Sequence, residues 1–367
     1  MEQFRKIACV CTDGKIRLTE ENVPATAPGM VKIRSFASLV SPGTELGGWK
    51  NLFAKRGQAD SGDRRKFGYS CAGIVEETGE GVTRLKKGDR VAAIGYGMAL
   101  HSDWNVVPQN LCIRLPDGVS FEQGSYAMLL ATALQAVRRA QPEFGERACV
   151  VGMGLVGQLT AQLLAASGCR VIGWARNDRQ SEIAKSWGIA EVINMKTCDP
   201  VAATNAFTGG RGLDLSVFSF PGKAGTSWDQ TIKCMKITPD GHTMGRVVVV
   251  GGSEIDLKWI PANLDVCIAA RTGPGYHDSA WELGQDYPPV FMQWTTQTNL
   301  EVCMGAIRYG QVNVDALTTH RIALENAEAE IDALSDPTQI LGLVFENGGK
   351  KDGKNENLHD RCRYDGE

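Results

Sequence analysis

Apolar positions run through this chain in two rhythms. Over the first 120 or so residues they come in short β-branched bursts, "VKIRSFASLV", "CAGIVEETG", "GDRVAAIGYG" and "WNVVP", divided by Gly, Pro and Asp. That texture predicts strands joined by tight turns. "LPDGVSFEQGSYAMLLATALQAVRRA" then changes to helical spacing, with Ser120 as a candidate N-cap. From Arg147 the pattern becomes strand, helix, strand. "RACVVG" is apolar almost throughout, as a parallel strand covered on both faces must be. "LVGQLTAQLLAASG" reads as a helix closed by Gly168, "CRVIGWA" as the second strand and "RQSEIAKSWG" as the next helix. "AEVIN", "GLDLSVFSF", "GRVVVVGG" and "LDVCIAA" supply further strands. The alternation predicts an α/β unit with a doubly wound parallel sheet. After Pro274, "GPGYHDSAWELGQDYPPVFMQWTTQ" fits neither period. "NLEVCMGAIRYGQV" reads as a helix, "LTTHRIAL" as a strand, "ENAEAEIDALSD" as an amphipathic helix and "ILGLVFEN" as a last strand. The polar remainder to Glu367, with its basic Lys351-to-Lys354 stretch, is expected to pack little.

Composition narrows the class. A chain of 367 residues exceeds one ordinary core and is comfortable for two domains. Apolar residues at 43% and charged residues at 22% are those of a globular protein, and a net charge of −3 gives no support for a nucleic-acid or anionic-membrane partner. The eleven cysteines are scattered, with no Cys-x-x-Cys, which fits buried reduced thiols in a cytoplasmic protein. "MEQFRKIACV" has no apolar signal core, and no run is long enough to span a membrane.

Candidate chemistry begins at "VVGMGLVG", which holds Gly152-x-Gly154-x-x-Gly157 between an apolar strand and a helix. Gly152 permits the tight turn, Gly154 lets the backbone approach a pyrophosphate, and Gly157 lets helix pack on strand. Leu155 and Val156 open the helix beside them, and Gly251 ends a later strand. The second strand ends "VIGWARNDRQ". Trp174 and Ala175 stand where NAD sites usually place an acidic residue, and Arg176 and Arg179 follow. Two guanidiniums without a carboxylate suit a 2′-phosphate, which favours NADP(H) over NAD(H). The alternative is that both are ordinary surface arginines and Asp178 turns inward.

The landmarks "GDRVA", "VVPQN", "LPDGVSFEQ", "ATALQAVR", "VVGMGLVGQL", "EIAKSWGIAEVIN" and "LTTHRIALENAEAEID" together resemble the medium-chain dehydrogenase/reductase superfamily, up to about Asn347. The resemblance implies a GroES-like β-rich catalytic domain, residues 1–122 and 286–367, interrupted by a Rossmann coenzyme domain, 123–285, with the active site between them. Where zinc-containing members carry Cys, His and Glu ligands, this chain has Ser41, Tyr69 and Ser70, and Val82 to Val107 has no cysteine for a structural zinc. Hydroxyls bind zinc poorly, so no metal site is expected. "SLVSPGTE", "GYSCAG", "LHSDWNVVP" and "GPGYHD" look like a zinc-independent branch of that superfamily.

Hydride transfer without the metal needs a donor to the developing alkoxide and a group that exchanges the proton. Tyr69, Ser41, Thr44 and His101 are the catalytic candidates, each with the alternative of filling space, capping a turn or making a structural hydrogen bond. Thr132 matches a residue that lies beside the nicotinamide in the family. Glu45 is a candidate for the substrate side. Tyr276, Asp278, Trp281 and Trp294 could form a sugar-binding wall, or equally a packed lid or dimer contact. The reading is a zinc-independent, NADP(H)-preferring enzyme that interconverts a secondary alcohol and a ketone on a polyol, sugar or cyclitol-like substrate. A reductase of activated C=C bonds or quinones, and a catalytically silent NADP-binding protein, are the alternatives. By family analogy the chain forms a homodimer through the coenzyme domain, with "LDVCIAARTG" as the pairing edge.

Overall fold

A computed structural model describes residues 3–189, 191–256 and 262–348. The expected polar tail, with Lys351 to Lys354 and Cys362, lies outside the described residues apart from Gly348.

The later rhythm builds a seven-stranded sheet. Its order is Glu191–Asn194, Arg170–Ala175, Arg147–Val151, Leu215–Phe218 and Thr243–Val250, with Ala262–Ala269 paired on the far side of the last of these. These strands run parallel, and the short Lys236–Ile237 adds an antiparallel edge. Alternate residues of "RACVV" explain its unbroken apolarity. Ala148 and Val150 belong to the core shared with the helices Ala127–Ala140 and Leu155–Ala166, while Cys149 and Val151 pack with Trp174, Phe218 and Trp228 on the other face. Trp174, Val151, Phe218, Val249 and Ile268 stand level across the sheet, so the carboxyl ends open along one edge.

The earlier rhythm builds a second seven-stranded sheet. Its order is Thr318–Ala323, Gly342–Glu346, Met30–Val40, Ser70–Thr78, Arg90–Ile94 and Cys112–Arg114, with Trp104–Pro108 also pairing Met30–Val40. The strands Thr318–Ala323 and Gly342–Glu346 therefore return the chain to the β-rich half. A smaller sheet of Phe4–Cys11, Ile16–Asn22 and Arg64–Lys66 stands beside it.

Ser120 does cap a helix, in a reciprocal capping box with Gln123. The expected continuous helix breaks, however, into Phe121–Gly124 and Ala127–Ala140. At the break Ser125 Oγ donates to Glu122 O, and the buried Tyr126 hydroxyl pairs with Thr318 Oγ1 at 2.8 Å. The amphipathic "ENAEAEIDALSD" forms only Ala327–Ala333 as α-helix, after a 3-10 turn at Leu324–Asn326. The aromatic stretch after Pro274 contains one short helix, Ser279–Glu282. It is tied to the β-rich half by Asn110 Nδ2, donating to Trp281 O, and by Gln109 Nε2, donating to Leu283 O. Among the described residues no helix is long and apolar enough to cross a membrane.

Candidate active site

The carboxyl edge of the parallel sheet faces the Ser41–Tyr69 corner of the β-rich half across a cleft of about 750 Å³. One wall is the glycine turn. Gly152 has φ of 96°, which L-residues rarely adopt, and its N–H donates to Trp174 O at 2.9 Å. Ser219 Oγ donates to Gly152 O at 2.6 Å and fixes the turn from the next strand. The helix Leu155–Ala166 begins here at Gly154, without a side-chain cap. A Cβ on Gly154 would meet nothing within 4 Å, so the backbone lies open beside uncapped N–H groups. A Cβ on Gly157 would stand 1.8 Å from Gly152 O. Gly157 thus serves the packing of helix on turn and does not line the cleft. This cradle fits a dinucleotide phosphate.

At the end of the second strand, Arg176 and Gln180 line the cleft. Gln180 Oε1 accepts the Arg176 N–H at 3.1 Å. Asp178 does not turn inward, because its carboxylate accepts from Asn194 Nδ2 at 2.9 Å. Ala175 is fully buried in the sheet, and Arg179 is drawn 3.6 Å from Glu182, so neither reaches the cleft. Among the described residues no Asp or Glu lines it.

The opposite wall carries hydroxyls. Ser41 precedes the five-residue helix Pro42–Leu46, which brings Thr44 to the cleft. Tyr69 is buried beside them, 4% exposed. Loss of hydration first, then the negative Glu45, push its phenol above the usual range, while the Ser41 and Thr44 hydroxyls pull the other way. Gly68 before it has φ of 124°, and a Cβ there would meet His101 N at 2.4 Å. Thr132 lies on the helix between the halves, and Gly251 and Tyr276 complete the lining among the expected residues.

Ser70, at the position of the family's Glu ligand, has a different task. Its hydroxyl donates to Ser125 O at 2.7 Å and accepts from Met128 N–H at 3.2 Å, joining strand to helix. Ser41, Tyr69 and Ser70 do not match the thiolate, imidazole and carboxylate donors that zinc takes. Among the described residues no three His, Cys, Asp or Glu side chains converge as a metal-binding group.

Besides Gly157, Ala175 and Arg179, five more expected residues lie away from the cleft. His101 is fully buried between Phe67 and Phe345, with ring centroids at 4.6 and 5.1 Å. Its Nδ1 lies 2.9 Å from Ser38 Oγ and its Nε2 lies 3.4 Å from Glu45 Oε1. Glu45 is itself buried and accepts the Ser41 N–H, so the pair braces the cleft wall from behind. The Asp278 carboxylate caps Ser279–Glu282 and accepts from the Tyr287 hydroxyl at 2.6 Å. Trp281 is core, 1% exposed, closely packed on Gly275. Trp294 lies under the Arg138 guanidinium, 3.5 Å from its ring centroid. The sugar wall is therefore reduced to Tyr276.

Sequence reasoning missed Tyr96, Ser219, Phe220 and Arg271, all of which line the cleft, as does His277 beside Tyr276. Ligands of open parallel sheets gather beyond the carboxyl ends of strands, and that rule could have found Ser219 and Arg271 directly after "LSVF" and "CIAA".

A β-rich half facing a Rossmann sheet, with an uncapped glycine turn opposite a hydroxyl cluster, defines a nucleotide-dependent oxidoreductase architecture. Residues 48–137 match the alcohol dehydrogenase GroES-like domain family, and residues 156–272 match the family described as zinc-binding dehydrogenase. The chain belongs to the medium-chain dehydrogenase/reductase superfamily of oxidoreductases. It is 27% identical over 299 residues to L-idonate 5-dehydrogenase of Vitis vinifera, covering 72% of this chain and 74% of that one. It is 29% identical over 187 residues to quinone oxidoreductase of Rattus norvegicus, covering 50% of this chain and 54% of that one, so it spans only about half of that relative. In fold it resembles a zinc-binding dehydrogenase of Sinorhizobium meliloti bound to NADP, with a TM-score of 0.71, 16% identity, and coverage of 94% and 100%.

Proposed function

We propose that this chain is a zinc-independent, NADP(H)-preferring dehydrogenase that interconverts a secondary alcohol and a ketone on a polyol, sugar or cyclitol-like substrate. The observation that carries the reading is the Tyr69–Ser41–Thr44 hydroxyl cluster, set across one cleft from the glycine turn. Bound NADP(H) supplies or accepts the hydride. The backbone at Gly154 and the helix start hold the diphosphate, and Arg176 receives the 2′-phosphate where no carboxylate competes. Tyr69, kept protonated by its surroundings, donates to the substrate oxygen as charge develops there. In the oxidative direction bound NADP would take the hydride, while Tyr69, Ser41 and Thr44 would hydrogen-bond the substrate oxygen and its proton would pass to solvent, the net products being ketone, NADPH and a proton. His101 and Glu45 hold the loop that carries Ser41 and Thr44. The likeness to L-idonate 5-dehydrogenase supports the substrate class. The test is steady-state turnover of a polyol panel with NADP and with NAD. NADP is expected to give the higher kcat/KM, and Tyr69→Phe is expected to lower kcat by roughly 100-fold. Unchanged turnover in that variant, or about one equivalent of bound zinc, removes the reading.

A second reading, reduction of quinones or activated C=C bonds, is favoured by the likeness to quinone oxidoreductase. Turnover of an enone panel with NADPH, absent with polyols, selects it.

The cysteines among the described residues are all free thiols, which supports a reducing, cytoplasmic setting for the enzyme.

A further inference from the structure

The proposed function gives no task to Arg271, a charged residue of the cleft. Arg271 directly follows the strand Ala262–Ala269 and Ala270, and lines the cleft in the left-handed region, φ 63°. His277, also lining it, has φ 73°. The chain has three non-glycine residues with positive φ among those described, and two of them are in this one loop. Such conformations cost energy and gather at ligand sites. The Arg271 guanidinium is steadied by a carbonyl, donating from Nη1 to Tyr276 O at 3.4 Å. Tyr276 is steadied in turn, its hydroxyl accepting the Tyr96 N–H at 3.0 Å. Of the loop's two carboxylates, Glu282 is buried and accepts the His277 N–H, Asp278 accepts from the Tyr287 hydroxyl, and neither lines the cleft. A guanidinium in a cleft without acids is an anion receptor.

The cofactor's phosphates are not that anion. Arg176 follows the strand Arg170–Ala175, and four strand intervals separate it from the strand before Arg271. At ~4.8 Å each this is roughly 19 Å. The glycine turn is three intervals away, roughly 14 Å. Arg271 belongs instead to the hydroxyl end, since it donates to the carbonyl of Tyr276, which lines the cleft together with Tyr69.

We propose that Arg271 is a specificity-determining residue that receives the carboxylate of an anionic substrate, a polyhydroxy acid of the aldonate type, while its carbinol carbon lies at the Tyr69 cluster. The inference rests on the alcohol–ketone reading above. A single planar fork matches a carboxylate in bidentate fashion.

The test is calorimetric titration of the NADP-loaded full-length chain with D-gluconate and D-galactonate, against D-glucitol and galactitol, which lack only the charged end. The expected result is aldonate binding roughly 10- to 100-fold tighter than alditol. Arg271→Asn removes the charge with a residue that tolerates positive φ, and should collapse that ratio to about two-fold, whereas Arg271→Lys retains part of it. Cofactor affinity, measured on each variant, separates loss of the aldonate contact from loss of the nucleotide. Equal binding of acid and alditol, no binding of any, or a preference that persists in Arg271→Asn overturns the proposal. So does tighter binding of D-glucitol 6-phosphate than of gluconate, which would make the anion a phosphate. Turnover is scored separately. Arginine-dependent aldonate binding without any turnover keeps the receptor and removes the dehydrogenase reading. Alditol turnover with no acid preference does the reverse.

Discussion

Tyr69 and Cys71 are neighbours in one strand entry, and burial acts on both in the same direction. Cys71 is fully buried, and loss of hydration pushes its thiol up to about 11, against weaker contacts from Ser35 and Asn105. Tyr69 is also held above its usual value, first by burial and then by Glu45. Each group keeps its proton in the folded chain at a pH where the unfolded chain has lost it. Their stabilisation is complete below the unfolded values, about 9 for the thiol and about 10 for the phenol, and is lost as pH rises through the folded ones. Urea unfolding under reducing conditions should therefore give a midpoint that falls between about pH 8.5 and about pH 10.5. For Cys71 alone the slope is roughly 1.4 kcal/mol per pH unit. Cys71→Ala should lower stability at neutral pH yet flatten the alkaline fall, and an unaltered slope would contradict the assignment. The place of Tyr69 in the cleft was legible in sequence because it stands, with Ser41, at positions that the family resemblance brings to the cleft. The placement of His101 was not, because its partners Ser38 and Glu45 come from separate segments that only the folded sheet brings together.

The strand–turn–helix at Gly152–Gly157 shows what an element-scale reading can and cannot see. Three glycines at fixed spacing predicted the turn, and the structure separates their duties. Gly157→Ala forces a methyl against Gly152 O, so helix and strand must part. Its thermal midpoint should fall by several degrees, and NADPH affinity should drop with it. Gly154 has ordinary φ of −72° and open space around it. Gly154→Ala should keep the wild-type midpoint while NADPH binding weakens by roughly ten-fold or more, because the methyl would fill open space where the proposed function puts the diphosphate. Calorimetric melting and NADPH fluorescence titration of both variants check the contrast; equal melting losses would refute it. Parallel strands were legible in the same way, since burial on both faces writes a continuous apolar run. The break at Ser125–Tyr126 was not legible. Helical spacing continues through it, and the contact that accompanies it, Tyr126 with Thr318, joins residues far apart in sequence. The aromatic stretch failed for a related reason. Trp281 and Trp294 looked like a ligand wall, but one is core and the other a partner for Arg138.

At the scale of the whole molecule the two halves divide the chemistry, and the cleft exists because the chain leaves the β-rich half and later returns to it. The division also determines which surface is left over. The strand Ala262–Ala269 pairs with Thr243–Val250 on one side, and among the described residues no strand pairs with its other side. Four of its eight residues are exposed, including Val266 at 37% and Ile268 at 69%. An edge strand with apolar side chains in water is a template for pairing. We propose that a second copy covers it, joining the coenzyme halves into one extended sheet through a two-fold axis. Arg271 follows this strand, so pairing would also steady the loop that carries the anion receptor. Sedimentation equilibrium should give twice the chain mass for the native protein. Ile268→Asp places a charge at the centre of such an interface and should shift the equilibrium to monomer, with aldonate affinity falling alongside. A native monomer would refute the pairing, and a monomeric Ile268→Asp protein with undiminished aldonate binding would sever the link between edge and receptor.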